Sequence, residues 1–158
     1  MDQPGPNPPA VADRRFQGLE GVYVVVESVA GEWGGAPILE HYLRQDAEDV
    51  LRGAGLSLLK AGEWLTASGA PHVYVKVDIA PQSAIDAVAS FAATVQLREK
   101  VALARSPAVT VMAPIWGAQA IEQVEVQQLQ EGARQSIGSL LARFTDAYRA
   151  VHDQEGEG

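Results

Sequence analysis

Residues 72–79 of the sequence, HVYVKVDI, alternate strictly between polar and apolar side chains. A period of two predicts a β-strand with one face buried and the other face in contact with water. The apolar positions are Val73, Val75, Val77 and Ile79. This stretch therefore predicts a sheet with one covered face, and the sequence on either side must supply the cover.

Further strands are predicted on both sides of residues 72–79. Leu19–Val29 contains a β-branched and aromatic run that is apolar on both faces, as is typical of a central strand. A short strand is predicted at Leu56–Leu59. After a turn, alternation from Ile85 to Leu97 predicts an antiparallel partner for residues 72–79.

The following segment extends that sheet. Residues 101–103 are expected to continue the long strand past Arg98-Glu99-Lys100, with a bulge. A last strand is predicted at Ala108–Ala113. Residues 114–124 contain Pro114 and Gly117 and are predicted to form a loop.

Two long helices can supply the cover. Apolar residues recur at three- and four-residue steps over residues 37–54 and over residues 126–151, and a short helical turn is predicted at residues 63–65. The predicted order is β-α-β-(short α)-β-β-β-α. We therefore expect an α/β (α+β) fold, a two-layer sandwich in which both long helices pack on one face of a mixed sheet of about five strands.

The two ends of the sequence differ from its centre. Residues 1–17 are rich in proline, glycine and small side chains, which predicts a disordered tail. Residues 153–158 are acidic and predict a frayed end. Residues 18–152 then form a single domain.

The composition argues against several classes of function. Acidic residues outnumber basic ones by 20 to 12 and the formal net charge is −8, so nucleic acid is not an expected partner. The absence of cysteine excludes disulfides, thiolate nucleophiles and cysteine-ligated metals. No apolar run is long enough to span a bilayer, and no secretory signal pattern is found. We therefore expect a soluble protein, cytoplasmic by default, with the periplasm or cell envelope as the alternative if a signal was removed.

The order of elements also resembles a known group of proteins. A helix ending in EDVLRGAG at residues 48–55 is followed by LSLL at 56–59, HVYVKV at 72–77 and a long C-terminal helix. Over about residues 19–151 this resembles small α/β modules of the bacterial envelope, such as the N-terminal domain of TolB, the LptE-like lipoproteins and uncharacterised bacterial secreted proteins. The resemblance implies a role in protein–protein or protein–lipid assembly rather than catalysis.

No residue pattern predicts a catalytic, metal or cofactor site. The three histidines, His41, His72 and His152, are too far apart in sequence to form a metal-binding pair on one helix. The loop GEWGG at residues 31–35 lies where a phosphate loop would, but it lacks the required glycine spacing and lysine. We expect no cofactor and no metal.

Tryptophans supply the best candidates for an interaction surface. Trp33, Trp64 and Trp116 fall in predicted loop or short-helix contexts, and exposed aromatic side chains are favoured anchors at protein interfaces. The simpler interpretation is that each one plugs an end of the sandwich. If an interaction surface exists, we expect it at Trp33, Trp116 and Ile115, or at an open sheet edge.

Three functions remain open from the sequence. The first is a non-enzymatic protein-interaction or assembly module, with a protein partner or self-association. The second is a small-ligand domain or enzyme with a pocket at one end of the sheet, near Glu32, His41 and His72. The third is a structural homodimer that pairs long edge strands.

Overall fold

The computed structural model describes residues 13–29, 36–80 and 87–155. Within them lie one mixed sheet and two long helices, as the sequence predicts.

Five strands form the sheet in the order β2-β1-β3-β4-β5. β1 runs parallel to both β2 and β3, whereas β4 is antiparallel to β3 and to β5. The bounds of the strands are Gly21–Val29 (β1), Ser57–Leu58 (β2), His72–Ile79 (β3), Val88–Leu103 (β4) and Ser106–Glu125 (β5).

Both long helices pack on the same face of the sheet. α1 is Ala36–Gly53 and α3 is Leu129–Glu155, while α2 (Ala61–Trp64) is a single turn on the other side of β1 and β3. α1 lies against β1 and α3 against β4 and β5, and the two helices also contact each other. The Arg134 guanidinium of α3 joins the Asp46 carboxylate of α1 in two hydrogen bonds of 2.9 and 3.0 Å.

Alternation along the strands explains this packing. The predicted apolar face of residues 72–79 is buried, and β4 buries every second residue from Ala89 to Leu97 beside it. The helices add apolar stripes to the same core. Their fully buried members include Leu39, Leu43, Leu51, Leu129, Ile137, Leu141 and Phe144.

In the part of the chain that the structure describes, α2 covers one end of the second face of β1. Trp64 of α2 stacks on the Tyr23 ring at 4.8 Å between centroids, and its indole N–H donates to the carbonyl of Ala70 at 2.7 Å. Trp64 therefore covers part of the sheet face that lies opposite α1 and α3.

The prediction of a loop over residues 114–124 is wrong. β5 continues without a break to Glu125, so Trp116 lies in a strand rather than a loop. Pro114 is tolerated because β5 is an edge strand and because a bulge lies beside this proline. The bulge predicted near Arg98 is confirmed, since the register shifts between Leu97 and Arg98.

Residues 13–17, which precede the predicted domain boundary at residue 18, are among the described residues. Residues 14–16 form a 3₁₀ turn, and Phe16 is completely buried between α3 and β5. At the other end α3 extends to Glu155, beyond the predicted boundary at residue 152. The rest of both predicted tails lies outside the described residues.

Neither α1 nor α3 combines the length and apolar character that a bilayer-spanning helix needs, and this holds for every helix in the described ranges.

Candidate interaction surface

The hairpin of β4 and β5 projects beyond the rest of the sheet. β3 pairs with β4 only as far as His72 opposite Arg98, and beyond this point the strand pairing in residues 99–113 is between β4 and β5 alone. One backbone bond ties the base of this hairpin to the body, because the Lys100 N–H donates to the carbonyl of Gly69 at 2.7 Å. We call residues 99–113 the arm. The five β4 residues Glu99–Leu103 give it a length of roughly 17 Å.

A bulge marks the point where the arm leaves the sheet. Leu97 faces Trp116 and Arg98 faces Pro114, so Ile115 is an extra residue on β5. Such bulges bend a strand and change the direction of the residues beyond them. Ile115, predicted from sequence as part of the interaction surface, is therefore the residue that sets the direction of the arm.

Arg15 holds this bulge from the other side. Its Nη1 donates to the carbonyl oxygen of Ile115 at 2.7 Å, while its Nε donates to the Asp13 carboxylate at 2.8 Å. The side-chain hydrogen bond from Arg15 lowers the pKa of Asp13. The segment before β1, through Asp13 and Arg15, thereby holds the base of the arm in place.

Trp116 anchors the same point to the core. Its ring makes edge-to-face contacts with Phe16 at 6.1 Å and with Phe144 of α3 at 5.3 Å between centroids. The side chain is half-buried. Trp116 thus connects the arm to the helix layer, which is a positioning role and leaves only part of its surface for a partner.

The arm itself exposes apolar side chains. Val109, Val111 and Met112 are 46%, 42% and 44% exposed. Val101 faces Val111 across the ribbon, and Leu103 follows on the same side by alternation. One side of the arm is therefore an apolar stripe in contact with solvent.

The outer edge of β5 is also unpaired. β5 is the last strand of the sheet, and no described residue pairs with its far side. A free edge offers a row of backbone N–H and C=O groups to another strand. The arm thus combines an apolar stripe with a hydrogen-bonding edge.

A cavity of about 440 Å³ lies at the base of the arm. The ionisable side chains at its wall are Arg15, Glu20 and Glu99. Burial raises the pKa of Glu99, whose carboxylate lies near Gly69. Arg15 is already bonded to Asp13.

A second, shallower depression of about 380 Å³ lies on the open face of the sheet. The Arg98 guanidinium covers the Tyr74 ring at 3.9 Å from its centroid, and the Tyr74 hydroxyl donates to Glu27. Burial and the Glu27 carboxylate raise the pKa of Tyr74 to about 12. These charged and aromatic groups are therefore engaged with one another.

The polar groups predicted for a ligand pocket are not brought together. His41 is exposed on α1, whereas His72 is buried under the edge of Trp64 on the opposite side of the sheet. Glu32 lies outside the described residues, and so does Trp33. Within residues 13–29, 36–80 and 87–155 no three His, Asp or Glu side chains gather as a metal site.

Residues 114–125 of β5, which join the arm to the body, were not predicted as strand because the last strand was expected to end at Ala113. A signal was present in residues 116–124, where every second residue from Trp116 to Ala120, and then Val124, packs on the core. Glu122 interrupts that alternation, and in the structure the Ser136 hydroxyl of α3 donates to its carboxylate at 2.5 Å.

No family model matches the chain, and no curated protein matches it either. A PelC dodecamer from Paraburkholderia phytofirmans is 18% identical, with a TM-score of 0.49 over 78% of this chain and 85% of that chain. A minor lipoprotein from Acinetobacter baumannii is 12% identical, with a TM-score of 0.43 over 84% of this chain and 92% of that chain. Rare lipoprotein B from Shewanella oneidensis is 10% identical, with a TM-score of 0.38 over 85% and 97%. Values this low describe a likeness of general outline and assign no function.

Proposed function

We propose that the protein is a non-enzymatic assembly module that binds a protein partner through its arm. One observation carries the proposal. The arm leaves the sheet as a two-stranded ribbon that exposes both an apolar stripe and a free strand edge.

A two-stranded ribbon of this kind lacks the neighbours that would stabilise it. An isolated two-stranded hairpin is marginally stable in water, and a third strand or a packed surface is needed to stabilise it. A partner strand added to β5 supplies the missing hydrogen bonds, and a partner surface on the stripe removes apolar area from water.

The base of the arm supports the same function. Arg15 and Trp116 fix the bulge at Ile115, so the arm is held at one angle to the body. A fixed direction lowers the entropy cost of binding, because the arm need not be ordered when the partner arrives. Trp33 remains a predicted second contact.

The compartment is part of this proposal. The element order that resembles envelope modules favours the bacterial cell envelope over the cytoplasm. Fractionation of the native organism followed by immunodetection tests this location, and a purely cytosolic signal would contradict it.

The function is tested with a variant that has a shortened arm. Lys100 and Met112 face each other across the ribbon, so residues 101–111 can be replaced by Asn-Gly, a two-residue hairpin turn. We expect the body to keep its cooperative unfolding, because the removed residues lie beyond the sheet. Tagged chains are crosslinked briefly in the native organism and the captured proteins are identified by mass spectrometry.

We expect a stoichiometric protein captured by the unaltered chain to be lost with the shortened arm. Leu65→Ser is the matched control, because Leu65 is 70% exposed and follows α2 outside the arm in sequence. Equal capture by the shortened chain would refute the arm as the binding surface. Trp33→Ala in the same assay tests whether Trp33 contributes.

A further inference from the structure

β5 is unusually long, and most of its length carries no ionisable side chain. No side chain from Ser106 to Ile121 is ionisable, although 20% of the chain is Asp, Glu, Lys or Arg. Four of the seven exposed large hydrophobic side chains in the described residues lie on this strand. They are Val109, Val111, Met112 and Ile121.

Edge strands are normally protected against pairing by lysines, prolines or bulges. On β5 the prolines are Pro107 and Pro114, and the bulge is at Ile115. A second register shift, between Ala102 and Leu103, leaves residues 107–109 without partners on β4, whereas residues 110–113 carry no lysine, proline or bulge. We call residues 108–113 the edge segment.

We infer that the edge segment pairs with the edge segment of a second copy, antiparallel across a two-fold axis. This inference rests on the proposed function and names its partner. A two-fold contact of this kind uses the same surface on both copies and closes after two. The two ribbons then form one four-stranded sheet, which has the strand number that a lone hairpin lacks.

Charge favours a second copy at this place. Two copies of a chain with a net charge of −8 repel each other over most of their surface. Along the edge segment no like charges meet, because neither copy has an ionisable side chain there. The edge is thus the surface where two copies approach without direct repulsion between facing side chains.

The apolar stripe gains from the same contact. Val101 and Val111 share one side of the ribbon, and a two-fold pairing near Val111 places the two stripes side by side. Six residues per copy make a small interface, so we expect a dissociation constant on the order of 10 μM rather than a permanent dimer.

Sedimentation velocity of the purified full chain tests this from about 1 to about 300 μM. We expect a monomer–dimer equilibrium. Val111→Lys and Val111→Glu each place like charges near the axis and are expected to leave only monomer. Mixing the two variants restores a dimer, because opposite charges then face each other.

Ile121→Lys is the matched control. Ile121 is 78% exposed on the same strand but lies outside the edge segment. We therefore expect this variant to dimerise with the same dissociation constant as the wild-type chain. Thr110→Lys is a second disrupting variant, and its expected result is again a monomer. Far-ultraviolet circular dichroism confirms that each variant is folded.

Three results would overturn the inference. The first is a wild-type chain that stays monomeric throughout, and the second is a mixture of the two Val111 variants that does not dimerise. The third is open-ended aggregation instead of a discrete dimer. A chain that stays monomeric but captures a different protein through its arm would contradict the second copy as partner. The proposed function would then still hold.

Discussion

Trp116 is the residue through which the arm and the core act on each other. It lies on β5 at the bulge and contacts Phe16 from the segment before β1 and Phe144 from α3. Three parts of the chain that are distant in sequence meet at this ring. Its removal should therefore affect both global stability and the direction of the arm.

We expect Trp116→Ala to lower the free energy of unfolding by about 3 kcal/mol, because a large half-buried ring leaves a cavity between two phenylalanines. Urea unfolding followed by circular dichroism measures this change. Ile38→Ala is the control, since Ile38 is 56% exposed and its truncation should cost less than about 0.5 kcal/mol. Equal effects of the two substitutions would show that Trp116 does not anchor the arm.

His72 gives stability a defined pH dependence. Burial lowers the pKa of His72, and the charge of Arg98, its cross-strand neighbour, acts in the same direction. Below the ordinary histidine pKa of 6.5 the unfolded chain therefore binds a proton that the folded chain resists. The contribution is complete above that value and is lost as the pH falls from it toward the lower pKa of the folded state.

We expect the free energy of unfolding of the wild-type chain to fall more steeply between pH 7 and pH 5 than that of His72→Phe. Urea titrations at closely spaced pH values give both slopes, and the shared titration of the carboxylates cancels between the two chains. Parallel slopes would mean that His72 is protonated as readily in the folded chain as in the unfolded one.

Among the secondary-structure elements, α3 shows how packing modifies the effect of a residue's helix propensity on stability. Its two glycines each weaken the helix by sequence alone, but their surroundings differ. A Cβ on Gly132 would lie 3.0 Å from Cγ1 of Val124 on β5, whereas a Cβ on Gly138 meets nothing within 4 Å. Gly132 thus allows α3 to approach the sheet, and Gly138 has no such role.

Gly138→Ala should stabilise the protein by about 0.5–1 kcal/mol through helix propensity. Gly132→Ala should give less than this gain, because Val124 must move. Thermal and urea unfolding of the two variants provide the comparison. A larger gain at Gly132 than at Gly138 would contradict the close approach of α3 to β5.

The strands differ in how well the sequence predicts them. Residues 72–79 agree with the structure in both bounds and buried face. The alternation predicted from Ile85 to Leu97 agrees in its buried face from Ala89 onward, but β4 is described from Val88 and continues to Leu103. Only part of β5 is predictable, because its core-facing positions include small residues, such as Ala118 and Ala120, whose apolar signal is weak. Pro114 also indicates a loop, and only the pairing with β4 shows that a proline at an edge bulge is tolerated.

In the molecule as a whole, the arm divides the protein into a compact body and a projecting ribbon. The body buries its apolar residues in one core between sheet and helices. The arm exposes valine and methionine side chains instead, within a chain that is otherwise acidic. This contrast is the physical basis for assigning recognition to the arm.

The candidate surface is less predictable from sequence than the fold. The sequence indicates Ile115 and Trp116 as interaction residues, and the structure places both at the base of the arm, where they fix its direction. The projecting edge itself depends on where β3 stops pairing with β4. That is a tertiary property, because no local pattern in residues 99–113 reports the length of a distant strand.

Hydrogen exchange read by mass spectrometry is the sharpest test of recognition through the arm, since it reports which backbone amides a partner covers. The full chain is compared at about 1 μM and about 300 μM, where mass action shifts it from monomer to assembled form. We expect amides of residues 108–113 to become protected at high concentration, while those of α1 and β3 are unchanged. Equal exchange of residues 108–113 at both concentrations, or new protection elsewhere on the body, would show that the arm does not pair with a second copy.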